Sequence, residues 1–201
     1  MIALVDYGAG NLASVRKAFA AIGADLWTPA VPGELARAHG IVIPGVGHFE
    51  STRALTQEWR QAIKCEADNR LPILGICVGL QWLFAGSEES GETPGLGIFE
   101  GSCFNLRARA NTLKVPHVGW NSLSIASPST LLHGIDSGAQ VYFTHSYAAP
   151  VTAHTVATTE YGCRFSAAMQ NRNVAAVQFH PEKSGDVGLR ILSNWFERVR
   201  W

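Results

Sequence analysis

Residues 71–84 read LPILGICVGLQWLF, an apolar β-rich run that passes into a helical pattern with Cys77 at the changeover. The spacing Gly75-Ile76-Cys77-Val78-Gly79 is that of a nucleophile elbow, strand to tight turn to helix, with sulfur in place of the commoner hydroxyl. Glycines on both sides permit the bend. A helix beginning near Val78 places the thiol at a helix N-terminus, where unpaired N–H groups and the macrodipole favour thiolate over thiol. The N–H of Val78 then faces the oxyanion that develops on an attacked carbonyl. Read alone, the pentapeptide fits a small buried thiol beside turn glycines equally well.

The flanking sequence sets this bend in an α/β framework. IALVDY, NLASVRKAFAAIG, DLWT and GIVIP alternate strand-like and helical runs, which predicts βαβ units and a parallel sheet. Leu55, Trp59 and Ile63, at i, i+4 and i+8, predict a helix from His48 to about Asn69. Between Gly95 and Ala168 the short runs IFEGSCFNL, LKVPHVGW, QVYFTHSY and HTVATT predict antiparallel additions to the sheet. NVAAVQFH supplies a last buried strand, and Val187, Ile191, Leu192, Trp195, Phe196 and Val199 mark the apolar stripe of a closing helix.

With 201 residues, 47% of them hydrophobic, and no linker or low-complexity segment, one domain spanning 1–201 is expected. Sixteen basic residues balance sixteen acidic ones without a block of either sign, which excludes the electrostatic footprint of a nucleic-acid or anionic-membrane binder. No run of ~18 apolar residues is long enough to span a bilayer. The reading is therefore a soluble, cytoplasmic protein. Cys65, Cys77, Cys103 and Cys163 lack a C-x-x-C pair, which points to a reducing compartment and to no metal site.

A nucleophile needs a base. In VQFHPEKSG, His180 ends an apolar strand run, as Cys77 does, and ligand and catalytic groups of open α/β sheets gather at the carboxyl ends of strands. Glu182, beyond a rigid proline, is placed to orient the imidazole, giving a Cys77-His180-Glu182 triad by role. His145 and His117 are rival bases, but neither has an acidic residue within several positions. A second oxyanion donor is available in IVIPGVGHFE, where the N–H of Val46, or that of Gly47 as second choice, stands in an unhindered loop. A Pro-Gly turn that needs only glycine's conformational freedom remains the alternative there. Gly8, Gly10 and Ala13 match the permissive dinucleotide fingerprint, yet the acidic residue expected about 20 positions on is missing.

GICVGLQ together with FHPEKSG resembles the triad family of glutamine amidotransferases, and the likeness runs from the first strand to the last helix. DYGAGN, PGVGHF, VPHVGWN, YFTHSY and QFHPEKSG resemble, within it, the glutaminase subunits of imidazole glycerol phosphate synthases. The resemblance implies a three-layer, flavodoxin-like α/β fold with a mostly parallel central sheet and hydrolysis of the glutamine side-chain amide without a cofactor. It implies a glutamine pocket formed by Gln81, Glu89, Ser146 and Tyr147. It also implies a separate cyclase subunit, a (β/α)8 barrel, that receives the ammonia, with Asn11 near that partner. Val78 and Leu80 stand where the pattern often carries other apolar residues.

Overall fold

The computed structural model describes residues 1–109 and 113–199. Its elements are β1 (Ile2–Leu4), α1 (Leu12–Ala21), β2 (Leu26–Trp27), β3 (Gly40–Ile43), α2 (Gln57–Asp68), β4 (Ile73–Ile76), α3 (Val78–Trp82), β5 (Gly86–Ser87) and β6 (Ser102–Asn105). There follow β7 (His117–Ser122), β8 (Ser124–Ile125), β9 (Gln140–His145), β10 (Tyr147–Ala148), β11 (Thr155–Glu160), β12 (Arg164–Asn171), β13 (Val174–Val177) and α4 (Gly185–Phe196). Eight strands form one sheet in the order β2-β1-β3-β4-β13-β12-β11-β8. The five strands from β2 to β13 run parallel, and β12, β11 and β8 continue the sheet antiparallel.

The parallel strands are apolar along their whole length because helices cover both faces of such a sheet. β1, β3, β4 and β13 are buried at every position. β4 lies at the centre, with Ile73 opposite Ile41 on one side and Val174 on the other. Closing helix α4 buries Ile191, Leu192 and Trp195, and the Trp195 ring meets Phe19 of α1 edge-on at 5.8 Å. Val199, assigned to the same stripe, is buried but lies beyond the end of the helix.

Two expectations are corrected. The helix expected from His48 begins only at Gln57, and residues 49–54 form a 3-10 helix instead. Phe49, Thr52 and Leu55 are buried at a spacing of three, the repeat of a 3-10 helix, and the extended backbone of Thr56 (ψ 171°) separates the two helices. The antiparallel segments do not all join the main sheet. β10-β6-β5 and β7-β9 are separate small sheets, while β12, absent from the sequence reading, is the longest strand. The run that starts at His117 pairs with β9 as far as Ser122 and then, past Leu123, joins β11 at Ser124.

The elbow is built by close approach. Neither Gly75 nor Gly79 has positive φ, whereas Cys77 itself does, at φ 53° and ψ −107°. A Cβ on Gly79 would stand 1.9 Å from the Ile43 carbonyl oxygen, and one on Gly75 would stand 2.8 Å from Leu83 Cδ1. The glycines let α3 lie directly against β3 and β4, and the strained residue is the one with the thiol. Gly79→Ala is expected to destabilise the fold by about 3 kcal/mol or more through overpacking against main chain that has no room to yield. A thermal melt of the variant within a degree or two of the parent would contradict this account.

Candidate active site

Cys77 and His180 come together because β4 and β13 are neighbouring parallel strands that end level with one another, Ile76 opposite Val177. The Cys77 N–H donates to the Val177 carbonyl at 2.8 Å. Beyond β13, the His180 N–H donates to Tyr142 O at 2.8 Å, and Ser184 Oγ donates to His180 O at 2.6 Å. The main chain on both sides of the prospective pair is thus pinned by hydrogen bonds to β9, β13 and the start of α4.

His180 Nδ1 lies 2.8 Å from Glu182 Oε1, and both side chains are almost wholly buried. Among the described residues Nε2 of the ring has no hydrogen bond of ordinary geometry, and neither has Glu182 Oε2. Burial is the largest influence on the ring and would lower its pKa. The negative charge of Cys77, hydrogen bonding to Cys77 and Glu182, and the Glu182 charge outweigh it and raise the imidazolium to about 10. The arrangement suits a buried thiolate–imidazolium pair with a carboxylate behind it. His145 is pushed the other way, to about 3, chiefly by burial, and His117 to about 4 for the same reason. The rival bases are therefore neutral rings.

Cys77 opens into a cavity of about 240 Å³ lined by Val46, Gly47, Val78, Gln81, Glu89, Pro116, Thr144, His145, Ser146 and Tyr147. Every oxyanion and glutamine-pocket residue expected from the sequence is on that wall. The volume lies just below the ~300 Å³ at which pockets for drug-sized ligands begin, which suits a ligand of amino-acid size. A larger cleft of about 970 Å³ lies at the other end of the sheet and contains no nucleophile. Val78 is the first residue of α3, so its N–H has no carbonyl within the helix to donate to.

The 44–47 loop is held from two directions. Tyr7 Oη donates to Pro44 O at 2.7 Å; burial, and after it the negative charge of Cys77, raises the phenol's pKa and keeps it a donor. A Cβ on Gly45 would lie 2.4 Å from Tyr7 Oη and 2.6 Å from Val78 Cβ, so only glycine fits between the first loop and the elbow. On the far side, the Phe49 N–H donates to Glu89 Oε2 at 2.7 Å, and His48 Nε2 is 4.0 Å from Glu89 Oε1. Asn11 is outside the cavity: it caps α1, its Oδ1 accepting from the Ser14 N–H. It follows Gly10, which packs against Gly45.

Comparison with known proteins gives a consistent answer. The family described as Glutamine amidotransferase class-I matches residues 3–199. Imidazole glycerol phosphate synthase subunit HisH of Moorella thermoacetica is 43% identical, over 99% of this chain and 95% of its own. The protein of that name from Methanothermobacter thermautotrophicus is also 43% identical, over the whole of both chains. Among solved structures, a glutamine amidotransferase and PurLQS from Thermotoga maritima each superpose with a TM-score of 0.77 over 99% of this chain, at 16% and 17% identity, and cover 99% and 98% of their own chains. These two bear on the fold alone.

Sequence reasoning missed a buried polar network behind the cavity. Gln178, next to β13, sends Nε2 to Cys77 Sγ at 3.7 Å. Gln81 Nε2 donates to Tyr147 O at 2.9 Å and lies 3.4 Å from Gln178 Oε1. His145 Nδ1 reaches the same Tyr147 carbonyl at 2.8 Å, and its Nε2 meets His117 Nδ1 at 3.1 Å. Since a carbonyl only accepts, His145 carries its proton on Nδ1; its Nε2 then accepts from His117 Nδ1–H, and His117 Nε2 accepts from Asn121 Nδ2 at 3.4 Å. The signal lay in the repeated His-centred motifs PHVGWN and FTHSY, which a search for bases examines only for neighbouring acids.

This network has a pH signature. Unfolded histidine titrates near ~6.5, so below that pH the unfolded chain binds protons that folded His145 refuses down to about 3. Stability from the neutral ring is complete above ~6.5 and is lost as pH falls from there towards about 3. Between about pH 6.5 and about pH 5, His145 is expected to cost the fold about 2 kcal/mol. His145→Asn, which keeps a donor to Tyr147 O, is expected to reduce the slope of that stretch of the stability curve in urea titrations by about half, His117 with its own lowered pKa sustaining the rest. An unchanged slope would refute the assignment.

Proposed function

Given that the chain belongs to the class-I glutamine amidotransferases, as a glutaminase subunit of imidazole glycerol phosphate synthase in histidine biosynthesis, we propose that Cys77, His180 and Glu182 are its catalytic triad. The observation that supports this is the buried ring of His180, whose Nδ1 is committed to Glu182 and whose Nε2 is left to Cys77, the neighbour that helps to raise its pKa. In this reading the chain acts as one glutaminase domain, in the cytoplasm.

The chemistry follows from those atoms. The Cys77 thiolate attacks the carboxamide carbon of glutamine; a C–S bond forms and the carbonyl electrons move onto oxygen. The N–H groups of Val78 and Val46, with Gly47 as alternative, stabilise that oxyanion. His180 Nε2–H protonates the departing nitrogen as the C–N bond breaks, giving ammonia and a glutamyl thioester. The neutral ring then takes a proton from water, which attacks the thioester, and collapse of the second intermediate returns the thiolate and releases glutamate. Glu182 steadies the imidazolium throughout. At the other end of the cavity, Glu89 supplies the negative charge for the substrate ammonium. Gln81, whose Nε2 is committed to Tyr147 O, contributes its Oε1, while Ser146 and Tyr147 close the wall.

Ammonia is useful only if delivered before water protonates it, and the mouth of the cavity is suited to docking. Val46 is 37% exposed, and Val118 and Trp120 alternate outwards on β7, each 56% exposed. Exposed large apolar residues grouped beside a cavity mark a protein interface. Here the occupant is the (β/α)8-barrel cyclase subunit, and Asn11, through Gly10 and Gly45, links its occupancy to the oxyanion loop. Among the described residues no helix is long and apolar enough to cross a membrane.

Cys77→Ala is expected to reduce glutamate release from glutamine by at least about a thousandfold, with fold and partner binding intact. Glutamate production by the chain alone, with a cyclase subunit, and with cyclase plus its nucleotide ligand should rise in that order. Turnover retained in Cys77→Ala would overturn the triad, and full activity without partner would overturn the coupling.

A further inference from the structure

The 970 Å³ cleft at the N-terminal ends of the parallel strands carries a local charge that the chain as a whole, with a net charge of zero, does not have. Arg70, Arg172 and Arg198 line it together with His39, and Glu197 is the one carboxylate on its wall. The topology brings the first two together: Arg70 ends the turn before β4, Arg172 turns the β12–β13 hairpin, and Ile73 stands opposite Val174. Asn173 Nδ2 fixes that floor by donating to Ala67 O at 2.9 Å and Leu71 O at 2.8 Å.

Two features point to a ligand. First, the side chains of Arg70 and Arg172 make no ion pair or hydrogen bond among the described residues, while Arg198 is spent on structure, donating to Arg172 O and Thr130 Oγ1. Second, Arg70 (φ 64°) and Arg172 (φ 54°) are, with Cys77, the three non-glycine residues at positive φ among those described. Helix ends and hairpin turns in this conformation ordinarily take glycine or asparagine, which hold it at less steric cost. Placing arginine at both positions adds two guanidiniums, unpaired among the described residues, to one cleft.

We infer that this cleft binds the phosphate group of a small phosphorylated molecule. Two separate guanidinium forks match an anion with three terminal oxygens better than a single carboxylate. The cleft has room for more than the phosphate, and Ala38, Leu71 and Pro72 give the remainder of the molecule an apolar wall. The site is separate from Cys77, roughly 20 Å away along β4.

The test is calorimetric titration of the full chain with ribose 5-phosphate, pyrophosphate and inorganic phosphate at about 0.15 M salt, where charge–charge attraction beyond ~8 Å is screened. A phosphorylated probe is expected to bind with Kd below about 1 mM. Arg70→Asn and Arg172→Asn remove the guanidinium but suit the left-handed backbone, and each is expected to weaken binding about tenfold. Labelling of Cys77 by a glutamine-like electrophile should be unchanged in both variants, which separates this site from the glutaminase reading. Tighter binding of ribose 5-phosphate than of inorganic phosphate assigns the site to a phosphate ester, and equal binding assigns it to free phosphate. Absence of binding by all three probes, or equal affinity in the double variant, would overturn the inference.

Discussion

The structure depends on how little space separates β3, β4 and α3. The Ile43 carbonyl, the first turn of α3 and the loop at Gly45 meet at distances that admit no Cβ on Gly45, Gly75 or Gly79. Main chain packed this tightly cannot relax, so the strain of the strand-to-helix turn falls on Cys77 and stays there. The same crowding sets the N–H of Val78, which has no acceptor within its own helix, next to Cys77 and the 44–47 loop against the helix start. The positions of Cys77, Val78 and the loop are consequences of one packing contact.

Around that rigid centre the polar groups are arranged at some cost. A buried ion pair does little for stability after desolvation, and leaving Glu182 Oε2 without a partner among the described residues adds to the cost. The expense is offset by the apolar strands and by the main-chain hydrogen bonds that fix His180 from Tyr142 and Ser184. The Glu89 carboxylate lies on the cavity wall and holds the amide of Phe49 just past the loop. A negative charge on the cavity wall and the position of the loop therefore meet at one side chain.

The sequence was most legible where geometry is local. The elbow, its strand and its helix follow from a five-residue spacing, and the parallel core follows from unbroken apolar runs. Phe49, Thr52 and Leu55 were harder, because a repeat of three and a repeat of four coincide over so short a stretch, and only Thr56 separates them. The two small sheets were not legible at all: nothing in PHVGWNS distinguishes a strand that extends the main sheet from one that pairs with β9. The hydrogen-bonded chain through Gln178, Gln81, Tyr147, His145 and His117 joins residues far apart in sequence, and pattern reading has no access to it. Arg70 and Arg172 read as ordinary surface residues until their backbone conformation is seen.

The chain from Asn121 to Tyr147 O has one further consequence. Every hydrogen in it points the same way, because it ends on an acceptor that cannot reverse, and both rings are held in a single tautomer. His145 sits on the wall of the cavity that holds Cys77, yet it has no lone pair free and titrates far below neutrality. The pocket thus contains a second imidazole that is insulated from the thiol's proton. A second base there would divide the proton between two sites; locking the tautomers withholds His145 and leaves that role, in the proposed triad, to His180.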